Sequence, residues 1–232
     1  MSKLNLLPAA LLAACATTPP QPGPTRGPAA PSPNYSYHHV RTTEPVVALT
    51  FDDGPSATHT PRLLQILREQ GVRATFFVVG TNVAARPDLV RQAAADGHEL
   101  GNHSWSHPRL PDLTDAAVTA ELRKTADALA AVGVKPAYLR PPYGAFTNAQ
   151  RQWVHQKFGY DFIFWDVDPN DWQRPGVAVV TQRVVDNARP GSIILLHDVH
   201  ADTVTAVPAI IAQLRARGFR FLTVSELLAA GK

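Results

Sequence analysis

Five short clusters along the chain carry residue types that could do chemistry. The first is Thr50-Phe51-Asp52-Asp53-Gly54-Pro55. Two adjacent carboxylates at the end of an apolar stretch are costly to bury, because like charges that close raise one pKa unless a cation compensates. Gly54 and Pro55 can turn the chain so that both carboxylates enter one cavity; alone, Asp-Asp-Gly equally suits a solvated turn. The second cluster is Asn102-His103-Ser104-Trp105-Ser106-His107. Histidines at i and i+4 lie on one side of a turn and are spaced to share one metal ion. A carboxylate from the first cluster would complete a two-histidine, one-carboxylate set with open positions for water and substrate, although two surface histidines beside Pro108 would read the same way.

The third cluster, Leu139-Arg140-Pro141-Pro142-Tyr143-Gly144, is stiffened by its prolines. A fixed Arg140 guanidinium is suited to gripping a carboxylate; a rigid surface turn is the alternative. In the fourth, Asp168-Pro169-Asn170-Asp171-Trp172, Trp172 could wall a sugar or acetyl pocket and Asp171 could orient a histidine, or the segment is a turn with a core tryptophan. The fifth, Ile193-Ile194-Leu195-Leu196-His197-Asp198, offers His197 as a general acid. His38, His39, His59, His98, His155 and His200 are expected on the surface.

Something must hold these clusters together, and the pattern between them supplies it. Strands are predicted over residues 46–51, 74–79, 98–102, 137–139, 161–165, 192–196 and 219–224. Helices are predicted over 61–70, 87–96, 115–131, 147–158, 177–187 and 203–217, with a short terminal helix from Ser225. The last long helix carries Val207, Ile210, Ile211 and Leu214 at i, i+3, i+4 and i+7. Seven apolar strands alternating with helices make an α/β domain with a parallel sheet covered by helices, either a barrel or an open doubly wound sheet. In either, polar residues just after strand ends are where catalytic groups gather. The first strand is not followed by GxGxxG, which argues against a dinucleotide site.

Composition sets the outer bounds. The 232 residues are 45% apolar, 18% charged and 8% aromatic, which suits one globular domain. A net charge of +3 without a Lys/Arg run gives no reason to expect nucleic acid, and a monomer is expected. The single cysteine, Cys15, excludes an intramolecular disulfide. Lys3, the apolar run from Leu4 to Ala14 and Leu12-Ala13-Ala14-Cys15 resemble an export signal ending in a bacterial lipobox, too short to span a bilayer. Residues 1–15 are therefore expected to be a lipoprotein-type signal, and 16–43 a Pro-rich tether that cannot bury enough surface to fold. Residues 44–232 are the expected domain, anchored to a membrane of the cell envelope, periplasmic or at the cell surface.

Five clusters in this order are far more specific than any one of them. Together they resemble the polysaccharide deacetylase family, carbohydrate esterase family 4 with its NodB homology domain. TFDDGP stands at Thr50 to Pro55, H-[ST]-x-x-H at His103, Ser104 and His107, and R-x-P-[YF] at Arg140, Pro142 and Tyr143. D-x-x-D-W stands at Asp168, Asp171 and Trp172, and the last motif, often L-x-x-H, at His197 with Ile194 in place of leucine. The resemblance implies a distorted (β/α) barrel of about seven units. It implies that Asp53, His103 and His107 hold one divalent metal, zinc before cobalt or nickel. It makes Asp52 the general base held ionised by Arg140, and gives the oxyanion to the metal and the Tyr143 N–H. His197, oriented by Asp171, would protonate the departing amine, and Trp172 would line the acetyl pocket. The substrate so implied is an N-acetylated GlcNAc polysaccharide, peptidoglycan or chitin-type. An O-acetyl esterase on acetylated xylan and a catalytically silent glycan-binding lipoprotein are the alternatives.

Overall fold

In the computed structural model, Met1 and residues 35–231 are described. The expected signal with Cys15 and the expected tether up to residue 34 lie, Met1 aside, outside the described residues. The strands are β1 (Ser36–Tyr37), β2 (Val46–Asp52), β3 (Thr75–Val78), β4 (Glu99–Asn102), β5 (Tyr138–Leu139), β6 (Asp161–Ile163), β7 (Ile193–His197) and β8 (Arg220–Phe221). The helices are α1 (Thr60–Glu69), α2 (Gly80–Ala85), α3 (Pro87–Ala95), α4 (Asp115–Ala130), α5 (Asn148–Phe158), α6 (Val177–Asn187), α7 (Ala201–Ala216) and α8 (Val224–Ala230).

All ladders are parallel, in the order β1-β6-β5-β4-β3-β2-β7, with β8 added beside the start of β2. The sheet curls into a distorted barrel without closing. Among the described residues, β7 and the chain after β1 and β6 are joined not by a ladder but by the isolated bridges His39↔Ser192 and Val167↔Ile194.

β2 explains how the layers form. All seven of its residues are buried, because both faces of a parallel strand are covered. Val47, Leu49 and Phe51 join the outer core beneath the helices, with Leu63 and Leu67 of α1 and Ile210 and Leu214 of α7. Val46 and Ala48 face the barrel interior with Phe77, Ile163 and Ile193, where Val224 and Leu227 of α8 pack as well. Thr50 and Asp52 continue that interior row by the two-residue strand period, so the inner face turns from apolar to polar at the C-terminal end of the strand. The outer core carries the stability: truncating the fully buried Leu67 to alanine should cost about 2–5 kcal/mol.

All seven predicted strands are present, with ends moved by a few residues, and so are the predicted helices. Two elements escaped the sequence. α2 is one short helix over Gly80–Ala85, with no periodicity long enough to reveal it. β1 has two residues, fixed only by its partner: Phe162 N donates to Tyr35 O (2.7 Å) and Phe164 N to Tyr37 O (2.7 Å). Residues 35–43 belong to the folded unit, and Val40 is buried in its core. Among the described residues, no helix is long and apolar enough to cross a membrane.

Candidate active site

The five clusters meet at the C-terminal ends of the strands, around a cleft of about 420 Å³. Strand register does the first part of the assembly. Asp52 on β2 pairs with His197 on β7, and Thr50 with Leu195, so these four side chains share one inner face. Asp53 leaves the strand at φ 76°. Ser104, His107 and Tyr143 also take left-handed φ values of 65°, 60° and 59°. Each such non-glycine residue carries roughly 1–3 kcal/mol of strain, and strain of this kind collects where side-chain placement matters more than local stability.

Asp53, His103 and His107 bring their ligand atoms together. Asp53 Oδ1 lies 3.4 Å from His103 Nε2 and 3.2 Å from His107 Nε2, and the three offer donor atoms within 4.8 Å of one another. His103 Nδ1 donates to Arg140 O at 2.6 Å. A carbonyl only accepts, so the Nδ1 proton is fixed and Nε2 is left with its lone pair facing Asp53, as a metal ligand requires. Burial pushes the Asp53 carboxyl up, but the facing His103 and His107 imidazoles and nearby His197 outweigh it and hold it below the ordinary range. Asp53 Oδ1 is buried without a hydrogen bond of good geometry. An ionised carboxylate oxygen facing two imidazole nitrogens fits a divalent cation.

Asp52 stands beside this set, its Oδ2 3.7 Å from His103 Nε2 and its Oδ1 accepting from Arg140 Nη1 at 2.7 Å. Arg140 is fully buried and donates from all three of its nitrogens: Nη1 also reaches Thr50 Oγ1 (2.7 Å), Nε reaches Ile163 O (3.0 Å) and Nη2 reaches Phe164 O (3.0 Å). Its guanidinium carbon lies 4.2 Å from the Phe77 ring centre. Burial pulls the guanidinium pKa down while Asp52 opposes it. A buried pair of this kind costs about 3–5 kcal/mol when one partner is removed.

Across the cleft, His197 Nδ1 contacts Asp171 Oδ1 at 2.7 Å, while Asp171 Oδ2 accepts from His197 N (2.8 Å) and Thr203 Oγ1 (2.7 Å). Burial alone would lower the His197 pKa; the bond to Asp171 and the charges of Asp171, Asp52 and Asp53 raise it to about 9. The same bond holds Asp171 down against the upward push of its own burial. Asp168 builds the turn that delivers Asp171, accepting from Asn170 N at 2.7 Å. Tyr143 and Trp172 line the cleft, 65% and 53% exposed and so free to meet a ligand.

Asp52, Asp53, His103, His107, Tyr143, Asp168, Trp172 and His197 thus line one cleft, while Arg140 and Asp171 stand behind its walls, bonded to Asp52 and His197. The sequence missed several contributors. Thr50 is the second anchor of Arg140, and Trp165 and Leu195 line the cleft. Asp198 is fully buried behind Gly54, where a Cβ would overlap its carboxyl and force it to shift. Thr60 Oγ1 donates to Asp198, and burial, with Asp53 and Asp52 adding to it, pushes that carboxyl up to about 7 despite the Thr60 bond. The available signal was an aspartate ending an apolar strand. Among the histidines expected on the surface, His98 is 94% buried by its 6% exposure and accepts from Ala74 N at 3.1 Å.

Comparison with known proteins agrees with this geometry. The family described as Polysaccharide deacetylase matches residues 39–163. Peptidoglycan-N-acetylglucosamine deacetylase PgdA of Listeria monocytogenes is 40% identical over 182 residues, 78% of this chain; the chain spans 38% of that relative's length. A peptidoglycan-N-acetylglucosamine deacetylase of Bacillus cereus is 38% identical over 199 residues, covering 84% of this chain and 93% of the relative. The solved structure of the Bc1960 peptidoglycan N-acetylglucosamine deacetylase superposes with a TM-score of 0.81 at 33% identity, over 86% of this chain and 95% of that one.

Proposed function

The chain belongs to the polysaccharide deacetylase family, and we propose that it removes N-acetyl groups from GlcNAc residues of a polysaccharide, peptidoglycan or chitin-type, releasing acetate and a free amino sugar. The observation that carries this reading is the pairing, across one cleft, of the Asp53, His103 and His107 ligand atoms with a His197 ring held by Asp171, with Asp52 between them.

A divalent cation held by Asp53, His103 and His107, zinc in this reading, supplies electrophilic polarisation of the acetyl carbonyl and makes water beside it more acidic. Asp52 takes the proton of the attacking water, and Arg140, by holding Oδ1, fixes the carboxylate in place and leaves Oδ2 for that task. The Tyr143 backbone N–H donates to the oxygen that gains charge as the carbonyl is attacked, a contribution of about 3–4 kcal/mol for a well-placed donor. His197 gives its Nε2 proton to the departing amine nitrogen. Its raised pKa keeps that proton available at neutral pH, and Asp171 fixes the ring through Nδ1. Trp172 and Leu195 enclose the acetyl methyl.

The test is to offer GlcNAc oligomers, peptidoglycan fragments and acetylated xylan to the full-length protein, following acetate and free amine together. Equal amounts of both from a GlcNAc substrate support the N-deacetylase. Acetate from xylan alone would replace this reading with an O-acetyl esterase, and no acetate from any would replace it with a silent glycan binder.

We propose further that the chain is exported and held at the cell envelope through Cys15. The support is the Leu-Ala-Ala-Cys string and the Pro-rich stretch after it. Cys15→Ser should release the full-length protein from membranes, and unchanged membrane retention would contradict the anchor.

A further inference from the structure

His107 ends a tight turn, residues 104–107, whose first and last members both take left-handed φ. Such a turn forms no regular ladder, so each of its peptide groups needs a partner from elsewhere. Most are easily traced. Ser104 N donates to Asn102 Oδ1 (2.8 Å) and His107 N to Ser104 Oγ (3.1 Å). The carbonyls of Ser104 and Trp105 accept from Gly80 N (2.9 Å) and Thr81 N (3.0 Å), at the start of α2.

Two N–H groups remain, those of Trp105 and Ser106. Both donate to one carboxylate oxygen of Glu121 on α4, at 2.9 and 2.8 Å, and Ser106 Oγ donates to its other oxygen at 2.9 Å. Bonds to an ionised acceptor are about twice as strong as neutral ones. Glu121 has no cationic partner among the described residues, and the buried face of α4 is built by Val118, Leu122, Thr125 and Leu129. All three of its side-chain bonds go to the turn that carries His107.

We propose that Glu121 is a positioning residue for the metal centre, clamping the turn so that His107 Nε2 stays in reach of Asp53 and His103. This rests on the reading of those three residues as metal ligands. His103 does not depend on the clamp, since His103 N donates to Val78 O (3.1 Å) and its ring donates to Arg140 O. Loss of Glu121 therefore loosens one ligand of three. The turn is partly exposed, so water can replace the lost acceptor and the fold survives while the geometry at His107 relaxes.

The experiment measures zinc affinity of the metal-free full-length protein by competition with a chromophoric chelator, alongside its melting temperature. Glu121→Ala should weaken zinc binding by about 10–100-fold, the usual effect of losing a group that orients a metal ligand. Glu121→Gln, which keeps a carbonyl oxygen for both N–H groups, should fall between it and the wild type. In a His107→Ala background, adding Glu121→Ala should change zinc affinity by less than about twofold, because the clamp then has no ligand to place. Equal zinc affinity for wild type and Glu121→Ala would overturn the proposal, as would full additivity of the two substitutions. Should Glu121→Ala fail to fold, Glu121→Gln and Ser106→Ala carry the test, and wild-type zinc affinity in both would overturn it. A wild-type protein that binds no zinc would instead remove the metal reading itself, and the clamp with it.

Discussion

On the β2–β4 side of the cleft, Asp53, His103 and His107 crowd three ligand atoms together; on the β7 side, His197 and Asp171 satisfy each other, and Thr203 completes the chain. One wall offers a set of ligand atoms suited to a cation, whereas the other is bonded within the protein. Asp52 stands between them, tied to Arg140 rather than to either. In the proposed reaction the difference separates the two tasks of amide hydrolysis, activation of carbonyl and water on one side and delivery of a proton on the other. It also means that the walls can be disabled independently.

The largest effect should come from the wall of ligand atoms. His103→Ala is expected to remove bound metal and activity together, at least about 10³-fold in kcat/KM, on the order of 4 kcal/mol of transition-state stabilisation. Metal analysis and kinetics on the same preparation check this, and retention of both would break the comparison at its root. Asp52→Asn should lower kcat by about 10²–10⁴-fold with metal content unchanged, since Asp52 serves the reaction and not the ligand set. Metal lost in step with activity would move Asp52 into that wall.

On the β7 side, Asp171→Asn should reduce kcat by about 10²-fold and leave metal binding intact. It should also move the alkaline limb of the pH profile. His197 holds its proton up to about pH 9 in the folded protein, above the ordinary 6.5. The interaction therefore stabilises the fold fully below pH 6.5 and is lost as pH rises through about 9. Asp171 is the largest upward influence, so without it the limb shifts toward lower pH. An unmoved limb would assign it to another group.

The smallest effect lies behind both walls. Asp198 keeps its proton to about pH 7 in the folded protein, while an unfolded aspartate releases it near 3.8. Across that interval the native state binds more protons, so this residue lowers stability as pH rises. Asp198→Asn should remove that part of the slope, visible in melting temperatures of the metal-free protein between about pH 4 and 7. An identical slope in the variant would show that Asp198 ionises freely.

Much of this was legible in the sequence, because a parallel barrel gathers its chemistry at strand ends and strand ends are contiguous stretches of chain. Asp52, Asp53, His103, His107, Arg140, Asp171 and His197 each sit in such a stretch. What could not be read acts across elements. Glu121 is one polar residue among several on α4, and only the turn it faces distinguishes it. Thr50 reads as part of an apolar strand until Arg140 arrives from β5. His98 looked like a surface residue but packs edge-on to Phe76 at 5.2 Å, and β1 exists only through its register with β6.

The most direct test of the account follows acetate release from a GlcNAc oligomer by the full-length protein, first stripped with chelator and then titrated with zinc. The account predicts no acetate from the stripped protein and recovery that saturates near one zinc per chain. Acetate release that continues undiminished in the stripped, metal-free protein would contradict it, as would a folded, zinc-loaded protein that releases none.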